Sequence, residues 1–119
     1  MQIVVISPFT AERTALEALL RNEGHQVSSA LDRSHGLALA ARTHTDVIIA
    51  DAQLPMIDGP ALMHELSRQD PAPRVILLCP RSNCALQHPG VVCLTKPITD
   101  MAQLYRHLAP PAPKKSRVA

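Results

Sequence analysis

The chain has 119 residues, a net charge of +2 and an apolar fraction of 46%. That length suits one domain burying roughly two-thirds of its unfolded surface, and the charge is too small to argue for a nucleic-acid ligand. No apolar run nears the ~18 residues of a membrane span, and the N-terminus lacks the basic region and small-residue cleavage site of a signal peptide.

Phe9 and Tyr105 are the only aromatics, so the core must be aliphatic. Gln2 to Ile6 is short, β-branched and continuously apolar, the pattern of a strand buried on both faces. Ser7-Pro8 breaks it. Thr10 is expected to cap a helix carrying Ala15, Leu16, Leu19 and Leu20, and Gly24 to stop it. Gln26 to Ala30 reads as a second strand. Asp32 or Ser34 can cap a second helix through Leu37, Leu39, Ala40 and Ala41. Asp46 to Asp51 is the third strand. Asp58-Gly59-Pro60 opens a third helix with an apolar face of Leu62, Met63 and Leu66. Arg74 to Cys79 and Val91 to Leu94 are strands four and five. Thr99 is expected to cap a last helix with Met101, Leu104, Tyr105 and Leu108.

Strands alternating with helices predict an α/β fold: a parallel sheet with helices on both faces. Ligand chemistry in such sheets sits at the carboxyl ends of the strands. Ser7, Asp51, Cys79 and Lys96 all fall there. Pro110 to Arg117 is Pro-rich and basic. The division is therefore a domain over 1–109 and a tail, or start of a linker, over 110–119.

Asp51 closes the apolar run Val47-Ile48-Ile49-Ala50, with Pro55 and Gly59 four and eight residues on. Leu94-Thr95-Lys96-Pro97 ends another run. With the Arg13-to-Gly24 spacing of the first helix, these features over residues 2 to 108 make the chain resemble the receiver domain of two-component response regulators. The resemblance implies a flavodoxin-like five-stranded sheet in the order 2-1-3-4-5. It implies a phosphoacceptor at Asp51, and a lysine, Lys96, paired with it or with a phosphoryl oxygen, its Lys96-Pro97 bond open to the cis form. An Asp in that place could otherwise cap a loop, and the lysine could be a solvated charge.

The chain also departs from the family. Where receivers carry two adjacent acids after the first strand, it has Ser7-Pro8. Mg²⁺ is held by carboxylates, phosphate oxygens and water, and phosphoryl transfer needs charge neutralised on the equatorial oxygens. Ser7 offers a neutral hydroxyl, expected to donate to Asp51, and Pro8 offers no donor atom. Gln53 could lend a backbone carbonyl. One carboxylate then faces one lysine, and two unit charges ~4 Å apart attract by roughly 4 kcal/mol at an effective dielectric near ~20, before desolvation. No metal site and no cofactor are expected, with Mg²⁺ binding weak or absent.

The hydroxyl that receivers place at the end of strand four is matched by Cys79, a weak donor. The switch aromatic of strand five is matched by Cys93. The segment between Cys79 and Lys96 is about five residues short, so helix four is expected to be stunted or missing. Cys79, Cys84 and Cys93 are odd in number and lack zinc spacing, which points to small buried thiols in a reducing cytoplasm. The six histidines lack ligand spacing.

The reading is an atypical receiver: a phosphorylation-independent protein-interaction and regulatory module, not an enzyme. Its partner would be a histidine kinase, an output domain or a second copy in a homodimer. The alternative is a working phosphoacceptor phosphorylated on Asp51. A flavin or nucleotide binder ranks third, because no Gly-rich phosphate loop follows the first strand.

Overall fold

The computed structural model describes residues 1–53, 64–66, 68, 72–80, 91–96 and 101–108. Five strands, β1 (Gln2–Ile6), β2 (Gln26–Ala30), β3 (Val47–Asp51), β4 (Arg74–Cys79) and β5 (Val91–Thr95), form one parallel sheet in the order β2-β1-β3-β4-β5. Among the described residues they are accompanied by the helices α1 (Thr10–Asn22), α2 (Arg33–Arg42) and α3 (Met101–Leu108). Residues 64–66 are helical and bury Leu66. The flavodoxin-like expectation and its strand order hold.

Successive side chains on a strand point to opposite faces, and the core divides accordingly. Ile3, Val5, Val47, Ile49, Ile76 and Leu78 pack with Leu16 and Leu20 of α1 and with Leu104 and Leu108 of α3. Val4, Ile6, Ile48, Ala50, Val75 and Leu77 pack with Ala40 of α2 and with Leu66. Every residue of β3 is buried. The apolar runs lack strand-like alternation because both faces are covered.

The helix ends show which expected caps are used. Asp32 Oδ1 accepts the His35 backbone N–H at 2.8 Å, so Asp32, not Ser34, caps α2. At α1 the expectation of Thr10 is corrected. Phe9 holds the cap position without a side-chain bond, and Thr10 is already helical. The Phe9 carbonyl accepts the Arg13 N–H at 3.0 Å, while the Phe9 N–H is taken by Ser7 Oγ at 3.1 Å. Gly24 ends α1 with φ +93°, a conformation that favours glycine. β3 starts at Val47 rather than Asp46, and β5 runs one residue further, to Thr95.

Strand pairing sets the upper rim of the sheet. Ile6 is opposite both Ala30 and Ala50, Asp51 opposite Leu78, and Cys79 opposite Thr95. The Lys96 N–H donates to the Cys79 carbonyl at 2.7 Å, and the Ala52 N–H to the Leu78 carbonyl at 2.9 Å. The strand ends are thus tied rung by rung where the candidate residues sit. Most of the third helix, the segment where helix four would lie, Cys84, the Lys96-Pro97 bond, Thr99, the 109/110 boundary and the tail lie outside the described residues.

Candidate functional site

Asp51 is fully buried at the end of β3, yet it is charge-paired. Its Oδ2 accepts from Lys96 Nζ at 2.5 Å and its Oδ1 accepts the Gln53 backbone N–H at 2.8 Å. A buried carboxylate requires such partners. Lys96 extends from the end of β5, one strand beyond β4, and its backbone bond to Cys79 fixes its origin. Its ammonium also donates to Glu12 Oε1 at 3.0 Å and to Gln53 Oε1 at 3.2 Å. An ammonium has three N–H donors, and each has an acceptor here. The Phe9 ring lies 5.1 Å from Nζ, within cation–π range.

Glu12 is the residue that the reading of the sequence missed. It sits in the first turn of α1, where an acid is ordinarily explained by the helix dipole. That turn overlies the rim of the sheet and delivers the carboxyl group to the pocket. Glu12 Oε2 accepts from Ser7 Oγ at 2.7 Å, and Glu12 and Asp51 share the Lys96 ammonium. Two expectations are corrected. Ser7 bonds Glu12, not Asp51, because the Ser7 hydroxyl also takes the Phe9 N–H and turns towards α1. And the lysine faces two carboxyl groups, not one. The signal that could have found Glu12 is an acid in the first turn of the helix entering the rim.

Arg13 Nη1 donates to the Ser7 carbonyl at 2.9 Å and anchors the β1–α1 turn. The electrostatics follow from these contacts. Burial, and then the neighbouring Asp51, raise the Glu12 carboxyl above the ordinary glutamate range. Burial also pushes Asp51 upward, but the bonds to Glu12, Lys96 and the Gln53 N–H outweigh it and hold Asp51 low. Burial disfavours the Lys96 charge, yet Asp51 and Glu12 outweigh that and raise its pKa.

The remaining candidates are placed as follows. Cys79 is buried at the end of β4 and is disulfide-bonded, so it offers its carbonyl to Lys96 rather than a thiol to the pocket. Cys93, opposite Leu77 on β5, is an exposed cysteine that forms no disulfide, and partial burial of its sulfur raises the thiol's pKa. The expectation of small, buried, reduced thiols is therefore corrected in part: Cys79 is buried but disulfide-bonded, and Cys93 is outside any disulfide but exposed. The structure brings Ser7, Asp51 and Lys96 into one network and leaves Cys93 outside it.

The family model of the response regulator receiver domain matches residues 3–109. The chain belongs to this receiver-domain family. AfsQ1, a transcriptional regulatory protein of Streptomyces coelicolor, is 37% identical over 81 residues, covering 68% of this chain and 36% of AfsQ1. The response regulator PleD of Caulobacter vibrioides is 33% identical over 108 residues, covering 84% of this chain and 24% of PleD. The signal receiver domain of an HD domain-containing protein from Pseudomonas fluorescens Pf-5 superposes with a TM-score of 0.76 at 26% identity, covering 90% of this chain and 82% of that one. This receiver domain spans about a third or less of the length of AfsQ1 and PleD. Among the described residues no helix is long and apolar enough to cross a membrane.

Proposed function

We propose that this receiver domain is a protein-interaction and regulatory module of a two-component-type signalling protein that works without metal-dependent phosphorylation of Asp51. The observation that carries the reading is the bonded state of Lys96, whose ammonium lies among Asp51, Glu12 and Gln53 oxygens at 2.5, 3.0 and 3.2 Å. A positive charge already stands where the acids converge.

Mg²⁺ demands near-octahedral oxygen donors at short range. Asp51 spends its oxygens on Gln53 and Lys96, and Glu12 spends its own on Ser7 and Lys96. Pro8 adds no donor. A divalent cation would have to share this space with an ammonium, at a high Coulombic cost. This donor set does not fit the metal.

The module binds rather than catalyses. Its partner is a histidine kinase, an output domain or a second copy forming a homodimer, in the cytoplasm, with no direct nucleic-acid role for this domain. The second reading, a phosphoacceptor at Asp51, draws on the Asp51–Lys96 contact itself.

A Mg²⁺ titration followed by backbone amide NMR, repeated with beryllofluoride, separates the two. The amides of Ser7, Asp51, Gln53 and Lys96 are expected to stay in place at millimolar metal, and Asp51→Asn to leave partner binding unchanged. Saturating shifts that spread to Cys79 and Thr95 would instead establish a working phosphoacceptor.

A further inference from the structure

The Lys96 ammonium can serve an external anion only if one of its three N–H groups is available. Asp51 and Gln53 hold two of them from the β3 end, and both belong to the rim of the sheet. The third is held from outside the sheet, by Glu12 on α1. Glu12 uses its other oxygen to take the Ser7 hydroxyl, a second side-chain donor of the rim. One side chain thus occupies two donors that a tetrahedral oxyanion could use together. Its own side chain is only 18% exposed, and Phe9 stands over the ammonium.

We propose that Glu12 is the residue that decides whether this pocket accepts an oxyanion, acting as a built-in anionic ligand on Lys96 and Ser7. This rests on the reading of the domain as a module that works without metal-dependent phosphorylation of Asp51. With Glu12 shortened, the Lys96 N–H and the Ser7 O–H are released together and face the same space. The ligand class that fits is a small tetrahedral oxyanion, which can accept from both at once. Occupation, rather than charge alone, is what closes the seat. Gln at this position keeps an acceptor oxygen for Lys96 and should leave it closed.

The experiment is an inorganic phosphate titration of the full chain at constant ionic strength and pH 7, read by amide NMR at Ser7 and Lys96. Wild type and Glu12→Gln are expected to shift little, and Glu12→Ala to bind phosphate at least tenfold more tightly. Alanine favours helix, and retained amide dispersion checks the fold; Glu12→Ser carries the same test should the alanine variant lose it. Glu12→Ala responding no more than wild type overturns the proposal. So does a Glu12→Gln response equal to that of Glu12→Ala, because charge and not occupation would then be at work. Mg²⁺ binding by the wild type would instead overturn the functional reading itself, a separate outcome.

Discussion

Lys96 is the residue on which the site turns. It offsets the charge of a carboxylate with no solvent exposure, and it does so at 2.5 Å. Replacing it by alanine leaves Asp51 buried beside a second acid. Breaking a buried pair from one side costs roughly 3–5 kcal/mol. The ammonium is partly reached by water, so Lys96→Ala is expected near the lower end, about 3 kcal/mol, read as a lower urea midpoint at pH 7 with unchanged slope. Adding Asp51→Asn should recover part of the loss, because the uncompensated charge goes with it. A loss below about 1 kcal/mol would mean that solvent screens the pair. Asp51 and Lys96 were both legible as residue types at strand ends. Glu12 was not, because an acid in a first helical turn has a sufficient local explanation.

The described elements were legible almost to the residue, since their signals are local: apolar runs for strands, Asp32 for a cap, Gly24 for a stop. Their mutual fit was not. Gly36 lies in α2, where glycine costs about 1 kcal/mol relative to alanine. The reason is across the interface: a Cβ there would lie 2.2 Å from Ile6 Cδ1 and 2.5 Å from Cγ1. Ile6 is itself fully buried and ends the strand that leads into Ser7. Gly36→Ala is therefore expected to destabilise by about 1–3 kcal/mol through overpacking, despite its better helix propensity, as a lower midpoint in thermal unfolding. An unchanged or raised midpoint would show that the Ile6 side chain can turn aside. The same contact explains why α2 lies close to β1, and why the rim of the sheet above Ile6 is fixed where Ser7 needs it.

At the scale of the whole molecule, the acid pair sets a pH dependence. Glu12 is raised in the folded state, so the fold binds its proton more tightly than the unfolded chain does. Stability from this group is present below its ordinary value of 4.5 and is lost as pH rises through the raised folded value. Asp51 is lowered, so its contribution is present above 3.8 and is lost as pH falls towards the lowered value. Urea unfolding of wild type and Glu12→Gln across pH 4 to 8 is the check. The stability of wild type relative to the variant should decline as pH rises above 4.5, and a flat difference would remove the burial of Glu12 as its cause. The sequence by itself determined the parallel α/β architecture, the strand order through its family resemblance, and the rim on which chemistry would lie. Periodicity, breakers and caps act over a few residues and need no partner to be read. Only the tertiary structure decided the chemistry of that rim. Glu12 and Lys96, 84 positions apart, meet because β1, β3, β4 and β5 stack in order and the first turn of α1 folds over their ends, and no local pattern records a meeting made by four strands and a helix.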